Sequence, residues 1–531
     1  MPNIPFYMAG EIGIVKDVAP HELPPQAWSG GMNVGFRNGK VFRRDGQQQV
    51  YSGHLGQPYW LGLVYTQTQV YWVYADSTKL YATDGGAHAD VTRVSGVYSA
   101  MDLNRLWDGT MFGGIPVYTN GKDKPQAWLA PGLGTDFVDL PNWTAANLAR
   151  VLRPYKSFLV AMGVSKGGVY YPNLVWWSHP ADPGSVPISW DITDPTKLAG
   201  ELDLVDEYVG GIRDALPLRD ALIIYKDNAI WGLQFIGGTS VMRAYQILGG
   251  MGTLGPHCAT QVNQGRQHMF ATNDDLVVFD GQNPESVLDK KFKRHLEATM
   301  EMNVAERSFV FALERRNEAY FCYPELGNQF PNMAIIWNWR DNTITQRALP
   351  ALTSYIATGP IVISGDPWDL DLATWDSDAT IWDLAMFRAS AFDILMAQPG
   401  TNLGTSKLAQ MGVQQTNDGV NYNAYIERTD IALIGQDYKG QPKADFERRK
   451  LAKRIWPHIE GSPVQVSVGS QETLGGGVTY AAAQTFTPGV DKYLDFLVNG
   501  LFIAVKFEST LPGTWELDGY NLEIEPLGNL G

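Results

Sequence analysis

The residues able to do chemistry are few and scattered. Eight histidines stand at positions 21, 54, 88, 179, 257, 268, 295 and 458. None has another two, three or four residues away, the spacing that brings two imidazoles to one metal ion. The two cysteines, Cys258 and Cys322, form no C-x-x-C pair, so neither a disulfide framework nor a zinc or redox motif is indicated. His257-Cys258 suggests a base beside a nucleophile, but neighbours on a strand point to opposite faces, and a structural pair is expected. His179, in Trp176-Trp177-Ser178-His179-Pro180, reads as a loop residue. No G-x-S-x-G elbow and no phosphate loop of the form G-x-x-x-x-G-K-S/T occurs. Gly250 and Gly252 within Leu248–Gly255 have G-x-G spacing but no strand–loop–helix frame, and read as turn glycines.

Carboxylates offer the remaining chemistry. Glycoside hydrolysis needs two of them, and 17 Trp could supply stacking platforms for sugars. The nearest approach to a sialidase Asp-box, Ser509 to Trp515, lacks the Asp and is one residue short. From Gly365 to Leu384 runs a biased ribbon in which Trp-Asp recurs at Trp368, Trp375 and Trp382, seven residues apart. Its Asp366, Asp369, Asp371, Asp376, Asp378 and Asp383 resemble calcium ligands by spacing, but the EF-hand order with its Gly and closing Glu is missing. An acidic, turn-rich strap is the preferred reading, with each Trp pinned in a groove and the intervening Asp and Ser making turns. Trp368, Trp375, Trp382 and Asp376 are therefore the candidate structural or interface residues. No catalytic, cofactor or metal residue is nominated, and the chain is not expected to be an enzyme.

The elements that must hold these residues are strands. The chain has 531 residues, room for about three domains of ordinary size or one large repeat body with appendages. With 44% hydrophobic and 18% charged residues it folds. Its 55 Gly, 31 Pro and 12% aromatics point to short strands and frequent turns, and exclude coiled coil, collagen and a membrane channel. A repeated phrase, apolar run then polar turn then aromatic-rich run, marks hairpins. It occurs at Val34–Arg44 around Asn38-Gly39, at Gln69–Ala82, Ala221–Phe235, His268–Phe279 and Ser308–Tyr323, with a further strand at Met333–Trp339. The spacing of roughly 40–50 residues suits four-stranded propeller blades. A WD40 array fits poorly, since Trp-Asp falls at 107, 190, 368, 375 and 382 without that period. One or two β-sandwiches are the alternative.

Two segments read as helix, Thr144–Leu152 and Ser286–Met302, the latter with Val287, Phe292, His295, Leu296 and Met300 on one face. Asp445–Ile455, with Arg448, Arg449, Lys450, Lys453 and Arg454, reads as a helix or a basic strand, and its charges as either a salt-bridged contact to a neighbour or a solvated face. Asn499-Gly500 is a hairpin signal. The expectation is a mainly β protein with few helices. Residues 1–45 form an arm and first hairpin, 46–364 a β-propeller body, 365–420 the Trp-Asp ribbon and a polar linker, and 421–531 a C-terminal β region able to complete the propeller. No signal peptide and no membrane span is visible. With 41 basic against 56 acidic residues the net charge is −15, unsuited to gripping nucleic acid.

Two stretches carry a family resemblance. Leu174–Gly200 reads LVWWSHPADPGSVPISWDITDPTKLAG, and Val209–Gly238 reads VGGIRDALPLRDALIIYKDNAIWGLQFIGG. Together they resemble the β-propeller hub, nozzle or tubular tail protein B of short-tailed bacteriophages, as do Trp375-Asp376-Ser377, Tyr425–Arg428, Val468–Ser470 and Gly500–Ser509. The resemblance implies a structural tail component, a hexameric ring below the portal and its adaptor that retains the packaged DNA and conducts it during ejection. It further implies fibres or spikes at the periphery, double-stranded DNA passing through the lumen without specific binding, and a place in the virion after assembly in the host cytoplasm. The net charge of −15 is compatible with a wall along which DNA slides. The alternative is a carbohydrate-binding or glycan-degrading propeller, and a cytosolic scaffold propeller is a third reading.

Overall fold

A computed structural model of the chain describes residues 3–144, 146–350, 352–361, 392–436 and 442–529. Among these, seven sheets succeed one another along the chain, each with four antiparallel strands beginning on the central axis; in the sixth, Gly13–Ile14 and Ala27–Trp28 add in parallel at the outer edge. The innermost strands are Trp60–Tyr65, Asp108–Phe112, Leu148–Tyr155, Ile212–Leu218, Ala259–Val262, Phe309–Leu313 and Tyr355–Pro360. They pack side by side around the axis, and the seventh returns against the first. The molecule is mainly β, and this body is a seven-bladed propeller.

The composition of each strand follows from what covers it. Glu318–Tyr323 and Met333–Asn338, in the middle of blade 6, are buried along their whole length because a neighbouring blade covers each face. They read as continuous apolar runs and not as alternation. Rings fill the gaps between blades: Trp60 meets Tyr118 edge-on at 5.1 Å, and Trp143, Trp176 and Trp190 lie 4.6–5.0 Å from one another. The last two tryptophans belong to the first family-like phrase and serve packing here.

The strand that completes the ring is N-terminal. Gln47–Tyr51 adds to Lys407–Met411 as the outer strand of blade 7, with Tyr51 opposite Leu408. The C-terminal strands do not complete the propeller. They join the N-terminal ones in a separate two-sheet sandwich. One sheet is ordered Leu494–Gly500, Arg448–Gly461, Trp515–Asn529, Lys40–Arg43, Val34–Arg37, with Asn3–Phe6 also on Trp515–Asn529. The other is ordered Gly30–Met32, Ala424–Ile431, Phe502–Ser509, Val464–Gln471, Thr479–Tyr480, with Gln484–Phe486 beside Val464–Gln471. Here alternation is visible: Val464, Val466 and Val468 are buried while Gln465 is exposed. The sandwich core runs without a break into blades 5 and 6, where Met269, Phe321 and Ile335 belong to the same apolar cluster as Val466 and Ile524.

A buried clasp adds to this seam. Arg44, from the sandwich side, forms a two-pronged pair with Glu318 of blade 6 (2.6 and 3.1 Å) and also donates to the Val34 carbonyl. Both side chains are nearly inaccessible, at 3% and 4% exposure.

The five hairpins expected from the repeated phrase are present. At Asn38-Gly39 both residues have positive φ, 52° and 76°, and Arg37 pairs with Lys40, the geometry of a two-residue hairpin turn. Three local expectations are corrected, and one left open between helix and strand is resolved. Thr144–Leu152 is not a helix: from Leu148 onward it is the innermost strand of blade 3, burying Ala149 and Val151. Tertiary packing overrides the helical propensity of its Ala, Leu and Arg. The helix expected over Ser286–Met302 is confined to Lys293–Thr299, where the Asp17 carboxylate accepts from the Arg294 and His295 amides. Asp445–Ile455 resolves as the strand Arg448–Gly461, its Arg449 and Arg454 paired with Glu472 and Asp495. Asn499-Gly500 is no hairpin, because the strands before and after it lie in different sheets of the sandwich. A Cβ on Gly500 would come within 2.5 Å of the Ser470 Cβ, so close approach of the sheets requires glycine there. Among the described residues no helix is long and apolar enough to cross a membrane.

Candidate functional site

A propeller concentrates unlike side chains at its axis, because seven innermost strands converge there. At the ends where these strands finish, a cavity of about 740 Å³ opens, lined by Thr110, Leu216, Thr260, Phe311, Glu314 and Thr358 among others. At the ends where they begin, the channel is stopped. The Tyr355 ring meets Trp60 (6.5 Å), His257 (5.2 Å) and Phe309 (5.3 Å), so blades 1, 5, 6 and 7 contribute to one plug. Beyond it the segments Leu103–Leu106 and Glu306–Ser308 cross the axis, joined by a bond from Arg307 Nε to Asn104 Oδ1 (2.8 Å). Among the described residues the channel is closed at this end.

Inside the plug lies a charged relay across three blades. Arg153 of blade 3 donates from Nη1 to Asp108 Oδ1 and Oδ2 of blade 2 (2.7 and 2.8 Å). Its Nη2 donates to Asp214 Oδ1 of blade 4, and its Nε to the Ala215 carbonyl (2.9 Å). The Leu152 amide takes the second Asp108 oxygen at 3.0 Å, and the Ala215 amide also donates to Asp214 (2.7 Å). Asp108 is 7% exposed and Asp214 2%. Burial, together with the like charge of Asp108, raises the Asp214 carboxyl to about 6 although Arg153 opposes the shift. Burial works against the charge of Arg153 too, but the two carboxylates beside it hold it firmly protonated. Burial also lowers His257 to about 4, and its Nε2 has no hydrogen-bond partner among the described residues. Chemically this is a rivet. Both carboxylates are engaged by one guanidinium, and no nucleophile lies among them.

A second set of arginines sits one step nearer the closed end. Arg105 precedes the innermost strand of blade 2, Arg150 is the third residue of that of blade 3, and Arg213 the second of that of blade 4. Arg213 is paired with Asp227 and with Glu306 (2.9 Å). Arg150 donates to the Tyr170 hydroxyl (2.8 Å) and stacks on that ring at 3.8 Å. Sequence reasoning nominated none of these residues. The recoverable signal is an arginine at the start of successive inner strands, in Arg105-Leu-Trp-Asp108, Arg150-Val-Leu-Arg153 and Arg213-Asp214.

The residues nominated from sequence fall elsewhere. Trp368, Trp375, Trp382 and Asp376, with the other ribbon acids, lie outside the described residues. His257 and Cys258 are held apart: Cys258 Sγ bonds the Ser308 carbonyl (3.1 Å), whereas His257 lines the axis. The reason is not strand alternation, since His257 precedes the strand and has φ 60°. Burial raises the Cys258 thiol, which keeps it protonated. Gly252 packs on backbone, where a Cβ would meet the Lys226 carbonyl at 2.1 Å. Ser509 to Trp515 is a crossing between the sandwich sheets, secured by Arg43 donating to the Leu511 and Gly513 carbonyls (2.7 and 2.9 Å). Among the described residues no group of three or more His, Cys, Asp or Glu side chains could hold a metal ion.

No family model matches the chain, and no curated protein matches it in sequence. Solved structures resemble it in fold. The WD40 propeller domain of Doa1 is 11% identical, with 69% of this chain and 96% of that chain covered and a TM-score of 0.36. A protein described as a candidate 6-phosphogluconolactonase from Bacteroides fragilis is 9% identical, with 72% and 92% covered and a TM-score of 0.35. A second protein so described, from Bacteroides uniformis, is 9% identical, with 56% and 84% covered and the same TM-score of 0.35. The similarity is to β-propeller architecture.

Proposed function

We propose that the chain is the ring-forming nozzle or hub of a short bacteriophage tail. In this reading six copies sit below the portal-adaptor, carry fibres or spikes at their periphery, retain the packaged DNA and conduct it at ejection. The observation that carries the reading is the pair of family-like phrases, Leu174–Gly200 and Val209–Gly238, which build one continuous stretch of blades 3 and 4. Two physical features support it. The continuous apolar core and the Arg44–Glu318 clasp join propeller and sandwich, which suits a ring subunit under load. The propeller axis is stopped by Tyr355 and its neighbours, so a DNA path belongs to the centre of a ring of copies and not to any single chain. An acidic subunit of net charge −15 suits that wall, because like charge removes the gain from counterion release.

Negative-stain microscopy of the purified chain, with light scattering at micromolar concentration, tests the reading. Six-fold rings are expected. A uniform monomer across that range would overturn it. The glycan-degrading alternative needs two carboxylates free to act, whereas Asp108 and Asp214 at the axial cavity are both bound to Arg153.

A further inference from the structure

The axial cavity of about 740 Å³ is bordered by polar groups that the rivet leaves without partners. Among the described residues lining it, Arg153 is the only arginine, and there is no lysine. Arg153 is fully engaged: Nη1 donates to Asp108 and the Leu152 carbonyl, Nε to the Ala215 carbonyl and Nη2 to Asp214. Two buried carboxylates thus share one guanidinium, and one negative charge is left over. It falls on the cavity side, because Asp214 lines the cavity and Asp108 does not. Both bonds to Asp214, from Arg153 and from the Ala215 amide, go to Oδ1, and Oδ2 accepts none among the described residues. On the wall, Glu314 accepts the Gln264 amide on Oε1 (3.0 Å) and has no ion pair among the described residues. The hydroxyls of Thr260, Thr358 and Tyr355, from blades 5 and 7, make no side-chain hydrogen bond among the described residues.

A buried charge left over is unfavourable unless an opposite charge joins it. An anion entering here would meet Asp214 and Glu314 with no unengaged cation to offset them, so phosphate and acidic sugars are disfavoured. An ammonium group is the complement: it is compact, carries three donors and needs only acceptors. The walls set the rest of the ligand. Hydroxyls of Thr110, Thr260 and Thr358 converge from three blades, with Leu216 and Phe311 as apolar surface between them, and such a mixture suits a chain of hydroxyl groups. We propose that the axial cavity binds a small hydroxylated primary amine, its ammonium on Asp214 Oδ2 at the floor and its hydroxyls among the three threonines. Arg153 and the Ala215 amide fix the Asp214 carboxylate before the ligand arrives, so little order is lost on binding. At 2% exposure Asp214 is shielded from water, and attraction to a cation at the floor is weakly screened there. The Tyr355 plug stops the ligand at this depth. The site rests on the cavity and the rivet and not on the tail reading, so either can fail without the other.

Calorimetry of the full-length chain in amine-free buffer near neutral pH tests this with two probes. Glucamine is a polyol ending in a primary ammonium, and sorbitol is the same polyol with a hydroxyl in its place. Wild-type protein is expected to bind glucamine saturably at millimolar concentration, and sorbitol about tenfold more weakly, the loss of one hydrogen bond between charged groups. Asp214→Asn keeps the shape and removes the charge, and should reduce glucamine to the affinity of sorbitol. Thr260→Trp fills the cavity without changing its charge and should abolish binding of both. Glu285→Gln, on the exposed outer strand of blade 5, should bind as wild type does. Melting curves report whether each variant folds. If Asp214→Asn does not, the comparison of the two probes on wild type, with Thr260→Trp, still decides. Equal affinity for glucamine and sorbitol overturns the proposal in favour of a neutral polyol site. Absence of glucamine binding at millimolar concentration, or binding that Thr260→Trp retains, overturns the site itself.

Discussion

Arg150 and Arg153 leave the same innermost strand three residues apart, yet they face opposite conditions. Arg153 lies between two buried carboxylates drawn from the adjacent blades, and Asp108 is held by a two-pronged bond. Arg150, nearer the closed end, has the Tyr170 hydroxyl and ring as its partners and no carboxylate. One layer of charge is complete within the fold and the other is not. The contrast shows that residue type at an equivalent strand position does not determine role. What decides it is whether the neighbouring blades present acids, as Asp108 and Asp214 do for Arg153.

Removing the centre of the complete layer should have the largest effect. Arg153→Met leaves Asp108 and Asp214 buried beside each other, and the expected loss is about 3–5 kcal/mol in urea unfolding. A loss under about 1 kcal/mol would place this pair with ordinary surface salt bridges and erase the distinction between the layers. Next comes the clasp between the two bodies. Arg44→Met removes the cation from buried Glu318 and should cost about 3 kcal/mol. Combining it with Arg153→Met asks whether clasp and rivet are independent, and additivity within about 0.5 kcal/mol is expected for sites so far apart.

Acid should act on a similar scale, group by group. His268 is fully buried, with Nδ1 2.9 Å from the Tyr225 hydroxyl and Nε2 3.1 Å from the Pro217 carbonyl, and burial lowers it to about 4. His257 is lowered likewise. The unfolded chain takes up these protons near pH 6.5, while the native state resists until about pH 4. Stability from these groups is therefore complete above pH 6.5 and falls as pH drops towards 4, by about 3 kcal/mol for each histidine. Asp214 works in the opposite sense. Its carboxyl is raised to about 6, so its contribution is complete below the unfolded value near 4 and is lost as pH rises through 6. Asp214→Asn should make the acid loss steeper, and melting temperatures between pH 4 and 7 would show no such change if Asp214 titrated normally. The smallest effect belongs to the incomplete layer. Arg105→Gln should shift stability by no more than about 0.5 kcal/mol.

The turns were legible because their causes are local. Asn38-Gly39 needs two residues that accept positive φ, and the strands around Asp76-Ser77 and Asn273–Asp275 are separated by residues whose side chains bond the adjacent backbone. The central strands of blade 6 were legible as apolar runs for the same reason, that both faces are covered. Thr144–Leu152 was misread because Ala, Leu and Arg favour a helix until a neighbouring strand is present to pair with. The charge layers escaped detection because Arg153 and its two partners lie 45 and 61 residues apart in sequence. No pattern within one segment could bring them together.

What the amino-acid order determined alone is therefore the β character of the chain, its turn positions and its acidic balance, all set by backbone preferences and composition. The tertiary structure decided the rest. Pairing of Tyr51 with Leu408 closes the propeller, a sandwich forms from both ends of the chain, and the blades carry arginines of which some find carboxylates and some do not. Backbone geometry is settled by a residue and its neighbours. A buried charge takes its meaning from groups that only folding brings within a few ångströms.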